Sequence, residues 1–276
     1  MSEPISPNAQ TEIAKLVQRA RDKDRHNATV FALTAAVILA SFAYADFFAW
    51  QRYRDALGVA GTLLTDSLPP DFSRWRSWLG PFGETVAMSI AGTVLGSGLA
   101  APLALAASRS IAPARLVARP ARAILNLMRS IPDIVLGVIF VAAVGFGPLP
   151  GVLALVLHSA GMLGKFYAEI IEHEDAAPAD ALRAHGASQA QVLRFATLPQ
   201  IWPRILDVTL YRWEHNLRAA TVMGLVGAGG IGLELISALR LFEYREALAL
   251  ILITLALVTV LDAAGAWLRK HYLRKV

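Results

Sequence analysis

Residues 85–108, TVAMSIAGTVLGSGLAAPLALAAS, contain no charged side chain. A bilayer core about 30 Å thick is crossed by a helix of about 20 apolar residues. This stretch is long and apolar enough to span, and the rest of the chain repeats the pattern. Residues 27–45 are uncharged, and the apolar run continues past Asp46 to Trp50. Residues 134–164 are uncharged but too long for one crossing, and the turn residues of Gly145-Phe-Gly-Pro-Leu-Pro-Gly151 divide them. The pattern predicts a third span over 124–144 and a fourth over 149–169. Residues 247–261 open a last span that ends near Leu268. A weaker stretch, 205–226, carries Asp207, Arg212, Glu214 and Arg218 and is read as the fifth of six spans.

Composition agrees. Of 276 residues, 55% are hydrophobic and 17% charged, against about 45–50% and 25% in soluble domains. Mean hydropathy is +0.49. Disordered, collagenous and disulfide-scaffold classes are excluded. With no cysteine, thiolate nucleophiles and iron–sulfur sites are excluded too. The net charge of +5 has a topological explanation rather than a nucleic-acid one. Six spans place residues 1–27, 108–122, 172–204 and 269–276 on one side. They hold sixteen Lys and Arg, against six in 51–83 and 227–245. Basic loops face the cytoplasm, so both termini are expected there. Trp50, Trp202, Trp213 and Trp267 fall near span ends, as interfacial anchors do. No secretory signal is read, so the first apolar stretch is expected to be retained. Ile13, Leu16, Val17 and Ala20 recur at helical spacing among charges, which predicts an amphipathic helix on the membrane surface.

Most of the ionisable residues within spans have local partners at i,i+4, a spacing that shares one helix face. Arg129–Asp133, Lys165–Glu169 and Glu214–Arg218 are expected to neutralise one another near span ends. Arg218 sits deepest in its span and is the candidate cation of a polar pathway. Thr85, Ser89, Thr93 and Ser97 form a stripe alongside Gly92 and Gly96. Either small residues and hydroxyls pack helices closely there, or the hydroxyls line a path. His158 is read as a packing residue. Gly227-Ala-Gly229-Gly230-Ile-Gly232 matches the dinucleotide pattern, but no strand precedes it, so it is read as a backbone bend. No phosphate-loop sequence occurs, so the chain is not expected to hold ATP.

The longest cytoplasmic loop, 172–204, has helix punctuation. Asp175 or Asp180 can cap a first helix, Gly186 stops it, and Ser188 can cap a second running through Phe195 before Leu198-Pro199. A helix–glycine–helix hairpin at the membrane surface suits a soluble partner.

In this loop, Asp180-Ala181-Leu182, three residues, Gly186, nine residues, Ala196, one residue and Leu198-Pro199 resemble the E-A-A-x3-G-x9-I-x-L-P loop of ABC importer permeases. Asp for Glu, Leu for the second Ala and Ala for Ile are departures; the Gly and Leu-Pro agree in type and spacing. From Glu84 onward the chain resembles the phosphonate-type permeases. The stretches that carry this are Glu84-Thr85, Gly92-Thr93, Ala101-Pro102-Leu103, Arg129-Ser-Ile-Pro132-Asp133, His158 to Lys165, Asn216 to Thr221, and Val226 to Gly232.

The resemblance implies an all-α polytopic membrane protein of about six transmembrane helices with a type I ABC importer core and cytoplasmic coupling helices. Residues 1–27 would be the amphipathic segment, 28–83 the first span and a periplasmic loop, and 84–276 the permease domain. It also implies a location in the bacterial inner membrane, a second permease copy, two separate ATPase subunits that bind ATP and Mg, and a periplasmic binding protein. The substrate class implied is phosphonate or a related phosphorus oxyanion. Arg218 with Thr85, Ser89 and Thr93 are the candidate contacts, since an anion needs donors that do not trap it. No metal and no nucleic acid are expected. The competing expectation is an ion-coupled secondary transporter working without an ATPase, using Lys165, Glu169 and Asp133. The loop spacing favours the importer, and no inverted repeat supports the alternative.

Overall fold

The computed structural model describes residues 7–111 and 115–273. Among these every regular element is helical. In chain order they are α1 (Pro7–Tyr44), α2 (Trp50–Ser67), α3 (Leu79–Ala107), α4 (Arg115–Ser130), α5 (Asp133–Val144), α6 (Pro148–Glu172), α7 (Ala176–Ala184), α8 (Gln189–Val192), α9 (Leu198–Met223), α10 (Gly230–Arg240) and α11 (Tyr244–Leu268). Gln18–Tyr44, Leu79–Ala107, Pro148–Glu172 and Tyr244–His271 are each long and apolar enough to cross a membrane. Two bent pairs, Leu116–Ser130 with Asp133–Val144 and Gln189–Val226 with Gly230–Arg240, bring the crossings to six when each pair counts as one.

The chain divides into two compact units, one through Leu64 and one from Thr65. In the first, α1 shows Phe31, Leu33, Val37 and Leu39 outward. That is the face of a helix whose solvent is lipid. The first span ends sooner than expected, because Asp46 adopts a positive φ of 55° and pairs with Arg52 at 2.5 Å. Helix α2 occupies part of what reads as a loop. The expected amphipathic segment is helical backbone within α1, but the side chains of Ile13, Leu16 and Val17 lie outside the described residues.

The second unit is built on α3 against α6. Gly92 and Gly96 make that approach close: a Cβ on Gly92 would stand 2.6 Å from Leu155 Cβ, and one on Gly96 2.8 Å from Ser159 Cβ. Helix α4 closes one end of the pair, with Ala121 and Leu125 packed on Ala100, Ala104, Leu163 and Tyr167. Gly161 permits this, since a Cβ there would meet Arg129 N at 2.8 Å. At the other end Trp78, Ile231, Ala238, Ala247 and Leu250 bury α10 against α11.

The third span is not one straight helix. Helices α4 and α5 meet at 85° across Ile131-Pro132. The residue before proline is pushed out of the α region, and proline has no N–H to continue the ladder. This break also separates Arg129 from Asp133. The expected pair does not form; Arg129 Nε donates to Asn126 Oδ1 at 3.1 Å, and Asp133 Oδ1 accepts from Ile134 N at 2.9 Å. The fifth span starts earlier than predicted, at Leu198, and bends by 43° before α10. Gly227 and Gly229, at φ +96° and +74°, make that bend in a conformation that disfavours other residues.

Candidate functional site

Two regions concentrate polar chemistry: the loop between α6 and α9, and the interior where α3, α6 and α9 meet.

In the loop, Asp175 is the cap of α7, accepting from Ala177 N at 3.0 Å. Asp180 lies within α7, largely exposed, and pairs with Arg183 at 2.8 Å. Gly186, at φ +80°, reverses the chain, and Ala187 N returns to Leu182 O at 3.1 Å. Ser188 and Gln191 form a reciprocal capping box that starts α8. Ala179, Val192 and Ala196 are buried together, with Leu182 and Ala187 against them. Thr197 Oγ1 donates to Glu174 Oε1 at 2.8 Å, tying the end of the hairpin to its beginning. The loop therefore has a small apolar core of its own. The second helix does not stop before Leu198-Pro199. Residues 193–197 form a π-helical turn that runs straight into α9, with Pro199 in its first turn. The wider turn accommodates a residue that cannot donate to the turn before it. The hairpin and α9 are thus continuous helical backbone.

Of the residues expected on a polar pathway, Thr85, Ser89 and Thr93 are buried and face other helices of the same chain. Thr85 Oγ1 accepts from Ile231 N at 2.9 Å, and Glu84 Oε2 accepts from Gly230 N at 2.8 Å. Together they satisfy the free N–H groups at the start of α10. Trp213 Nε1 donates to Ser89 Oγ at 3.3 Å, and Asn216 Nδ2 donates to Thr93 Oγ1 at 2.9 Å. Arg218 is apart from them, on an exposed face, and donates to both carboxylate oxygens of Asp262 on α11 at 3.0 Å. Its sequence neighbour Glu214 pairs instead with Arg269 at 2.7 Å. So the expected Glu214–Arg218 pair is replaced by two longer-range ones, because α11 brings both partners to α9. Lys165 and Glu169 do pair as their spacing predicts, at 3.4 Å.

The residues that sequence reasoning passes over are Arg212, Ser159 and Asn216, all buried. Arg212 Nε donates to Ser159 Oγ at 2.9 Å, and Asn216 Nδ2 donates to the same oxygen at 2.9 Å. Next to Ser159, His158 Nδ1 lies 3.0 Å from Ile131 O, the carbonyl freed by the α4–α5 break. A charge at mid-span costs about 2.5–3.5 kcal/mol on insertion scales, so it marks a functional residue by default. The available signal was that Arg212 has no carboxylate at i±3 or i±4, unlike Arg218.

Comparison with known proteins agrees with this architecture. Residues 92–274 match the family described as binding-protein-dependent transport system inner membrane component. The phosphite transport system permease protein PtxC of Stutzerimonas stutzeri is 51% identical over 241 residues, covering 87% of this chain and 88% of that protein. The putative phosphite transport system permease protein HtxC of the same organism is 37% identical over 265 residues, covering 95% and 93%. Among solved structures, the MetNI methionine ABC transporter in inward-facing form superposes at a TM-score of 0.63 with 22% identity, covering 72% of this chain and 98% of that one. A bacterial ABC transporter involved in import of the polysaccharide alginate superposes at 0.62 with 15% identity, covering 87% and 96%.

Proposed function

Since the chain belongs to the inner-membrane components of binding-protein-dependent transport systems and is the permease subunit of an ABC importer, we propose that it carries phosphite, phosphonate or a related phosphorus oxyanion into the cytoplasm. The observation that carries the substrate class is the 51% identity to a phosphite permease over nearly the whole of both chains. The chain is not itself the ATP-hydrolysing enzyme; an importer of this family works with a separate ATPase and a substrate-binding protein.

In this reading two copies of the chain enclose the pathway, with both termini cytoplasmic, and ATP and Mg are held by two ATPase subunits. The hairpin is the coupling element. Asp180 and Ala181 face outward, Leu182 and Ala196 hold the hairpin together, Gly186 makes its turn, and Leu198 and Pro199 join it to α9. The apolar core and the unbroken run into α9 support that role, because a loose linker transmits no movement. The pathway follows the Arg218–Asp262 face. Both side chains are more than 40% exposed there, and an ion pair facing hydrocarbon is disfavoured. Thr85, Ser89 and Thr93 serve it by holding α3, α9 and α10 in place.

Arg218→Gln is accordingly expected to lower uptake at least tenfold while the complex assembles in normal amount. Uptake at the wild-type rate would remove Arg218 from the pathway. The substrate class is tested by uptake of labelled phosphite in cells that have lost their own phosphite and phosphonate permeases and carry this chain with its ATPase and binding protein. Uptake competed by methylphosphonate supports it, and its absence rejects it.

A further inference from the structure

We propose that Arg212, fixed by Ser159 and flanked by His158 and His215, is a binding station within the membrane for a tetrahedral phosphorus oxyanion in transit. The inference deepens the substrate reading above and rests on it.

Arg212 is 4% exposed, yet it uses little of its donor capacity. Its Nε is committed to Ser159, while its Nη2 is buried with no acceptor, and it has no ion pair among the described residues. Three residues on, His215 Nδ1 is also buried and unpartnered. Other span cations are engaged: Lys165 by Glu169, Arg218 by Asp262, and Arg129 by Asn126.

The nearby acceptors are already spent. Ser159 Oγ receives both Arg212 and Asn216, and Thr93 Oγ1 receives Asn216. Asp133 is an electrostatic neighbour of Arg212, His158 and His215, but one of its oxygens already accepts from Ile134 N. Glu214 is held by Arg269.

What the cluster lacks is an acceptor, and an oxyanion is acceptor-rich. A planar guanidinium whose Nε is anchored presents its remaining N–H groups as a fixed fork, which matches a phosphorus oxyanion better than an ammonium does. The nearby carboxylate of Asp133 keeps the local charge from trapping the anion. Arg212 and Ser159 are buried in this conformation, while His158 and His215 are half-buried. Ser159 and His158 come from α6 and Arg212 and His215 from α9, and His158 reaches Ile131 O at the break between α4 and α5. Discontinuous helices at a midplane site are a recurring feature of transporters.

The test uses the permease–ATPase complex in nanodiscs without binding protein. The probes are phosphite, methylphosphonate and sulfate, with glycine betaine as a net-neutral control. Equilibrium dialysis measures binding, and uptake with binding protein is measured in parallel. Wild type is expected to bind phosphite at millimolar concentration, competed by methylphosphonate and not by glycine betaine. Arg212→Gln is expected to weaken binding at least tenfold, Arg212→Lys to retain part of it, and Ser159→Ala to weaken it several-fold with the complex intact. Ser159→Ala keeps the test decisive where Arg212→Gln fails to assemble. Equal binding in wild type and the variants, or no anion binding by wild type, overturns the station. If wild type takes up phosphite while binding is insensitive to Arg212 and Ser159, the station fails and the substrate reading stands. If phosphite binds through Arg212 but no phosphorus oxyanion is taken up, the station stands and the substrate reading fails; if sulfate alone binds there, both fail.

Discussion

Replacing Gly186 with Trp is expected to leave the permease inserted in the membrane and to remove at least nine-tenths of the ATPase that co-purifies with it. Two features of Gly186 add together. Its φ of +80° disfavours any residue with a Cβ, so the turn between α7 and α8 is strained by substitution. No heavy atom lies within 4 Å of the Cβ position, so an indole there projects outward rather than into the hairpin. Ala179, Val192 and Ala196 are not among its contacts, so their packing is kept. Gly186→Asn is the control, since asparagine tolerates left-handed backbone, and it is expected to retain most of the ATPase. Measurement is by mild-detergent pull-down with quantitative mass spectrometry. Normal ATPase recovery in Gly186→Trp would contradict the coupling role of the hairpin.

The second large effect is expected at Gly96. A Cβ there would lie 2.8 Å from Ser159 Cβ and 3.2 Å from the carbonyl of Val156, so α3 and α6 must separate. Overpacking of a close contact costs about 1–3 kcal/mol, and here the displaced residue is the anchor of Arg212. Gly96→Val is expected to lower the thermal midpoint of the purified permease by several degrees and to abolish uptake in the fraction that folds. Gly98, with nothing within 4 Å of its Cβ position, is the matched control, and Gly98→Val is expected to change neither. Equal midpoints for the two variants would show that the α3–α6 approach is not limiting.

Much of this architecture is legible in composition because the membrane imposes it. Charge-free runs report most crossings directly, and the charged fifth is supported by the bias of Lys and Arg between the two sides. The caps of the hairpin are equally local: Asp175, Gly186 and Ser188 each act within a few residues, and so their roles can be read. The misreadings share one physical cause. Hydropathy registers side chains and not backbone donors, so the apolar run through α5 hides the break at Pro132. Helical spacing registers only partners on the same helix. Lys165–Glu169 is such a pair and forms, whereas Arg218 and Glu214 find Asp262 on α11 and Arg269 just beyond its end. Arg212 is hidden for the same reason, since its single partner, Ser159, lies on α6. The dinucleotide-like glycines are the converse case. They form the bend before α10, whose first N–H groups are met by Glu84 and Thr85.

These findings join into one chain of cause. Small residues let α3 and α6 approach, that approach buries Ser159 and Arg212 of α9 together, and α9 continues without a break into the hairpin proposed to couple to the ATPase. A push on the hairpin therefore acts on the helix that carries Arg212.

The most direct measurement is uptake of labelled phosphite by proteoliposomes containing this chain and its ATPase, with binding protein outside and ATP within. The account predicts uptake that requires both ATP and the binding protein, is competed by methylphosphonate and is unaffected by a protonophore. Uptake that proceeds without the ATPase and collapses with the protonophore would contradict it.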